Sequence, residues 1–389
     1  MIQKTVNHHK NSKIDSNHLY HSRKYILDAG DDSMAKNPYS ILFGKEPLEN
    51  ISRASQATEI IENFTEDQPT QQIYMITGIR GSGKTVFMTE VTRRFKKSDE
   101  WITVELSSDG DILEKLGAAL ASEDKLARIF QQANINLSLF GFGLEVNGIA
   151  PIASIEIAVA KMLESIKKHG KRVLITIDEV MSTPEMKTFS SAFQLYVRQD
   201  LPVYLLMTGL YENIEELQNE KNLTFLYRAP KIYLKPLNIQ SIAENYRKVF
   251  GADRNLSMHM AKLTKGYPFA FQALGYLTWE NGGRFDETIK PALRQFLEDY
   301  AYDIIWNRLS DKDKYVTYGI ARTESGKILD IRRILGLETN QFNPYRKRLI
   351  RKGIITGDEW GYVKFTLPMF DEFVLFNYDG ELIPPSADE

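Results

Sequence analysis

A doubly wound α/β domain followed by two smaller modules is the architecture this chain predicts, and three observations predict it. Apolar, β-branched runs alternate with helical patterning through about residue 235. After Pro236 the strand signals stop and only helical ones continue. From Ser310 onward come three short helices, the third strongly basic, and then a short alternating segment.

The elements follow in order. Ile51 to Phe64 reads as a helix, and Pro69 closes the loop after it. Gln72–Thr77 is a strand running into Gly78-Ile79-Arg80-Gly81-Ser82-Gly83-Lys84-Thr85, and Val86 leads a helix that continues to about Phe95. Trp101–Leu106 is a second strand, alternating and β-branched. Asp111 to about Phe130 carries Leu113, Leu116, Leu120 and Leu126 at helical spacing. Over 134–148, Ile135, Leu137 and Leu139 alternate with polar residues ahead of Phe140-Gly141-Phe142-Gly143, which predicts an inserted β-hairpin. A helix from about Ala153 to Lys168 precedes strands at Val173–Ile177 and Val203–Met207, with a helix near Met186–Arg198 between them. Those two strands are almost wholly apolar, as a parallel sheet buried on both faces requires.

A helical lid is predicted over 236–306, with helices at Ile239–Phe250, Leu256–Thr264, Tyr267–Trp279 and Thr288–Trp306. Residues 307–380 read as a winged-helix domain, with an apparent wing at Ile354–Ile355, Gly357 and Tyr362–Leu367. Residues 1–33, rich in Asn, His, Lys and Ser, read as a disordered extension, and 381–389 as a disordered tail.

Composition excludes several classes. No apolar run approaches the ~20 residues of a membrane span. The chain has no cysteine, so disulfides and thiolate chemistry are absent, which fits a cytoplasmic protein. A formal charge of −2 argues against a globally basic nucleic-acid binder and leaves room for a local basic face.

The chemistry concentrates at two strand ends. The complete G-x-x-x-x-G-K-T string lies at a strand-to-helix turn, the context in which it cradles phosphates. Its glycines let backbone N–H groups close around phosphate oxygens, and the helix N-terminus adds partial positive charge. This identifies a P-loop NTPase sheet, in which residues 78–86 bind the nucleotide and Lys84 neutralises its outer phosphates. Thr85 would ligate Mg²⁺, joined by Asp178, which with Glu179 ends the strand Val173–Ile177. Glu179 would orient and polarise the attacking water. Asp178 follows Lys84 by 94 positions, which leaves room for one extra strand–helix unit and the proposed hairpin. An inserted strand with Glu beside the metal Asp points to ATPases with a catalytic glutamate, and no guanine-reading N-K-x-D segment follows; ATP is favoured over GTP.

Three further assignments carry alternatives. Thr208, after the apolar strand, either bonds the γ-phosphate or lytic water or caps the next helix. Arg228 is either an arginine finger, in cis or from a neighbouring subunit, or a surface Arg before a strand. In the third helix of the last module, Arg346, Lys347, Arg348, Arg351 and Lys352 either contact double-stranded DNA or form a solvated face on a protein-contact scaffold. Over 306–380 there are 13 Lys and Arg against 10 Asp and Glu, so the basic charge is concentrated rather than abundant.

Phe43-Gly44-Lys45-Glu46, the phosphate loop, Leu174-Ile-Thr-Ile-Asp178-Glu179 and Gly266-Tyr-Pro268-Phe-Ala270 occur in the order seen in STAND-type and archaeal origin-recognition-like AAA+ ATPases. The chain resembles these over roughly residues 37–375. The resemblance implies Lys45 beside the base, where the family usually has Arg, and Pro268 against adenine and ribose. No arginine follows at the family's sensor-2 position. That departure implies a slow nucleotide switch rather than a fast motor, acting on DNA, on a protein partner or within a homo-oligomer.

Overall fold

In β1 (Ile73–Thr77) every residue is buried, and the side chains alternate between two cores. Ile73 and Met75 join Ile175, Leu205 and Met207 on one face, while Tyr74 and Ile76 join Leu174 and Leu206 on the other. This is the period-2 geometry of a strand with no solvent face. The computed structural model describes residues 36–42, 47–143 and 145–378. The predicted extension 1–33, the tail 381–389 and Lys45 lie outside the described residues.

Five parallel strands form the sheet in the order β2-β3-β4-β1-β5, with β2 (Trp101–Leu106), β3 (Arg172–Ile177), β4 (Val203–Gly209) and β5 (Lys231–Tyr233). Helices α1 (Ala54–Thr65) and α2 (Lys84–Lys96) cover one face. The other is covered by α3 (Ile112–Ser122), α4 (Asp124–Gln132), α5 (Ile155–Lys168), α6 (Pro184–Arg198) and α7 (Tyr211–Gln218). Because all strands run the same way, their C-terminal ends share one edge, and β4 stands between β1 and β3. That placement brings the loops after β1 and β3 to either side of the end of β4.

Two sequence expectations need correction here. The predicted hairpin at 134–148 has no strand among its described residues. Ser138–Phe140 is a single 3₁₀ turn, and the Asn136 side chain organises the loop by donating to the carbonyls of Val146 and Ile149. Ile135 and Leu137 alternate into the core because this side-chain network turns them inward, without a ladder. The single helix expected over 111–130 is broken by extended backbone at Glu123, while Leu126 and Phe130 still reach the same core.

The lid comprises α8 (Ile239–Phe250), α9 (Arg254–Leu263), α10 (Pro268–Glu280), α11 (Ile289–Leu297) and α12 (Asp303–Asn307). Between α11 and α12 the expected continuous helix is interrupted by a π turn, Glu298–Tyr302. The C-terminal module contains α13 (Asp311–Ala321), α14 (Ile328–Leu335), α15 (Thr339–Arg351), a short antiparallel ribbon of β6 (Ile355–Thr356) and β7 (Lys364–Phe365), and α16 (Phe370–Asn377). One apolar core runs through both, from Tyr246 and Phe271 past Tyr302 to Phe342, Leu349 and Phe370. The boundary expected at 306/307 therefore falls inside a continuous core, where Trp306 and Leu309 are both buried.

Candidate functional site

The turn between β1 and α2 depends on glycine where no other residue fits. Gly83 caps α2 with φ +83°, and Gly81 has φ +74°. A Cβ on Gly81 would lie 2.2 Å from the Tyr267 hydroxyl of the lid. The lid thus rests directly on the loop: Tyr267 donates to the Arg80 carbonyl at 2.6 Å, and the Phe269 N–H to the Gly81 carbonyl at 3.2 Å.

A cleft of about 550 Å³ opens between this loop, the N-terminal segment and the start of α10. Such a volume suits a nucleotide-sized ligand. Of the sequence-predicted residues, Arg80, Gly81, Gly83, Lys84, Thr85 and Val86 line it, together with Glu179 and Pro268. Gly78 and Ile79 line a second, smaller crevice, and Ser82 is buried.

Lys84 is 8% exposed, and its Nζ donates to the carbonyls of Gly78 at 2.9 Å and Ile79 at 3.2 Å. Burial draws its pKa down to about 8, against the pull of Glu179 and Asp178. An unfolded lysine keeps its proton to about 10.4. Between those values the native chain binds fewer protons than the unfolded chain, so the ligand-free protein gains stability as pH rises through this window. Below pH 8 both states are protonated and the slope vanishes. A phosphate beside Nζ favours the charged form, so nucleotide binding above pH 8 takes up a proton. The expected result is a Kd that weakens by up to about tenfold per unit from pH 8 to 10. Calorimetry in two buffers of different ionisation enthalpy measures it, and a proton-neutral, pH-independent Kd would contradict it.

Thr85 Oγ1 donates to Asp178 Oδ2 at 2.7 Å. A hydroxyl and one carboxylate at this spacing fit Mg²⁺, which usually takes one or two protein oxygens and completes its shell with phosphate and water. Among the described residues no group of three or more His, Cys, Asp or Glu stands close enough to hold a metal ion.

Thr208 is placed otherwise than either reading of the sequence supposed. It is fully buried within β4, does not line the cleft, and caps no helix, since Leu210 precedes α7. Its hydroxyl donates to Asp178 Oδ1 and accepts the Glu179 N–H at 3.1 Å. The register explains this: Thr208 stands one residue beyond Met207, which pairs with Ile177, so it faces the Asp178-Glu179 step. Glu179 has φ +50°, a left-handed conformation costly to a residue with a side chain. Thr208 and Asp178 Oδ1, which also meets the Glu179 N–H at 3.1 Å, hold that conformation.

Arg228 is exposed and absent from the cleft. Lys231 begins β5 opposite Met75, so Arg228, three residues upstream, lies toward the N-terminal end of the sheet, away from the phosphate loop. A finger in cis is thereby corrected.

The basic third helix, α15, carries ion pairs that neither reading of the sequence supposed. Arg348 makes a bidentate contact with Asp313, Nε lying 2.8 and 2.9 Å from its two oxygens. Lys352 pairs with Glu212 of α7 at 2.8 Å, and Arg351 lies 3.8 Å from Glu215 of the same helix. Arg346 is half-buried, with Nε shut from solvent and unpartnered. Only Lys347 of the five is exposed without a partner among the described residues. Gly353, after α15, packs on the phosphate loop at Ile79, whose Cβ lies 3.6 Å from the position a Gly353 Cβ would take.

Sequence reasoning missed two cleft arginines. Arg53, before α1, donates to the Ser82 carbonyl at 3.0 Å and to the Lys235 carbonyl at 3.0 Å, and burial lowers its pKa to about 10. Arg308, at the end of α12, reaches the cleft from the junction of lid and C-terminal module. Neither sits in a motif; only the tertiary fold brings them in.

Residues 55–227 match a family described as an ATPase domain predominantly from Archaea. Over this segment, somewhat less than half of its length, the chain is similar to that family. Residues 299–374 match a family described only as a domain of unknown function. No curated protein matches the chain. Among solved structures, a Walker-type ATPase of Pyrococcus abyssi is similar at 15% identity, covering 83% of this chain and 95% of that one, with a TM-score of 0.55. The ORC2 protein of Aeropyrum pernix, in ADPNP–ADP complexes, is similar at 14% identity, covering 86% and 95%, with a TM-score of 0.53. At these identities the likeness is one of fold, and its coverage extends past the five-stranded domain.

Proposed function

We propose that the chain binds ATP with Mg²⁺, hydrolyses it slowly and uses the bound state to set the position of its C-terminal module. The observation that carries this is the chain of contacts Thr85–Asp178–Thr208–Glu179 beside Lys84, at the floor of a cleft roofed by the lid. Lys84 and the loop N–H groups would hold the outer phosphates. Mg²⁺, when bound, would neutralise charge on the β- and γ-phosphate oxygens. Glu179 would orient a water toward the γ-phosphorus and take its proton, as the bond to the β–γ bridging oxygen breaks and ADP leaves.

The contacts of α15 with α7 and with Ile79 support a C-terminal module that answers to the nucleotide. In the winged-helix reading, Arg348 and Lys352 contact DNA only if they first give up Asp313 and Glu212, which favours a protein-facing output in this conformation. The test is ATP turnover by the full chain with and without duplex DNA, alongside Lys84→Ala. Slow turnover lost in Lys84→Ala and indifferent to DNA is expected. Stimulation by DNA that fades with salt would move the output to nucleic acid, and equal turnover by Lys84→Ala would overturn the ATPase assignment.

A further inference from the structure

We propose that Arg308 is a ligand for the terminal phosphate of the bound nucleotide, so that the junction of lid and C-terminal module distinguishes a triphosphate from a diphosphate. This rests on the ATP-binding reading above and names a residue that the phosphate-loop and strand-end motifs do not contain.

Arg308 shares the cleft wall with Lys84, Thr85 and Glu179, the groups around the expected outer phosphates. It differs from the other two arginines there in what its guanidinium does. Arg53 is tied to the carbonyls of Ser82 and Lys235, and Arg80 donates to the Tyr300 carbonyl at 3.3 Å. Arg308 is exposed and meets no carboxylate and no acceptor among the described residues. Its backbone is nonetheless fixed: it closes α12 with its N–H on the Ile305 carbonyl, and Ile305, Trp306 and Leu309 around it are buried. A rigid stem with an uncommitted planar fork of donors is the arrangement that favours phosphate.

The local charge points the same way. Arg308 adds to the positive field at Lys84, helping to draw its pKa down. Lys84, Arg80 and Arg308 therefore crowd one end of the cleft against Asp178 and Glu179, a balance that an added phosphate charge relieves. Arg308 also borders a crevice of about 30 Å³ shared with Ile79, Lys352 and Ile354, so it stands where loop, lid and C-terminal module meet.

Fluorescent ATP and ADP analogues titrated with Mg²⁺ into wild type, Arg308→Gln and Arg308→Lys test the proposal. Arg308→Gln is expected to weaken ATP binding about 10- to 100-fold, the range for a lost hydrogen bond to a charged group. ADP binding should change by less than about threefold, and Arg308→Lys should recover part of the loss, as a point charge without the fork. Equal weakening of ATP and ADP, or no change in either, overturns the phosphate-ligand role while leaving the ATP-binding reading intact. Failure of wild type itself to bind either nucleotide overturns both. An unchanged melting temperature without nucleotide keeps misfolding apart from lost recognition, since Arg308 supports no other side chain.

Discussion

Glu179→Gln is expected to keep ATP bound and to lower turnover about 10²- to 10³-fold, the contribution of a positioned general base. The exchange keeps the size of the side chain and removes only the ability to accept a proton. Binding should survive because the contacts placed on the phosphates come from Lys84, the loop and Arg308, none of which Glu179 supports. The backbone N–H of residue 179 still meets Thr208 and Asp178, so the left-handed conformation persists. Single-turnover hydrolysis alongside nucleotide affinity measures both parts. Undiminished turnover would remove Glu179 from the chemistry, and lost affinity would make it a binding residue instead. Thr208→Val provides the contrast: it takes away the pin and leaves the carboxylate.

Asp313→Asn is expected to destabilise the lid and C-terminal module by about 2–3 kcal/mol, near the lower end for breaking a buried ion pair. Asp313 is 1% exposed and faces two cations, Arg348 in bidentate contact and Lys352 at 3.7 Å. An amide satisfies one donor and leaves the rest of the guanidinium without its acceptor. Arg348 is partly open to water, which moderates the loss. Thermal unfolding of wild type, Asp313→Asn, Arg348→Gln and the double variant measures the coupling. Additive effects would mean that the pair contributes nothing beyond its separate parts.

How much of this was legible in sequence follows from how local each signal is. The phosphate loop and Asp178-Glu179 could be read because each is a contiguous string at the end of an apolar strand. Four of the five sheet strands were legible within a residue or two, three of them because burial on both faces leaves mostly apolar residues, while the three-residue β5 was given no bounds. Thr208 was found as a residue and misjudged in its contacts, because its partner is set by β4 lying between β1 and β3. The hairpin at 134–148 failed because alternation is shared by strands and by loops that turn apolar residues inward. The ion pairs of the basic helix were illegible for a related reason: the acids that meet it come from α13 and α7. Arg53 and Arg308 were invisible, being lone arginines brought to the cleft by the fold alone.

The lid and the C-terminal module are built around a single core, with Tyr302 and Trp306 at its middle. A hinge needs a thin place, and this junction is thick with aromatic rings. In the nucleotide-switch reading proposed above, lid and module would therefore move as one lever, meeting the phosphate loop at two points, Tyr267 and Gly353. A lever of that kind would carry a small displacement at the nucleotide to its far end as a sweep of the whole arm.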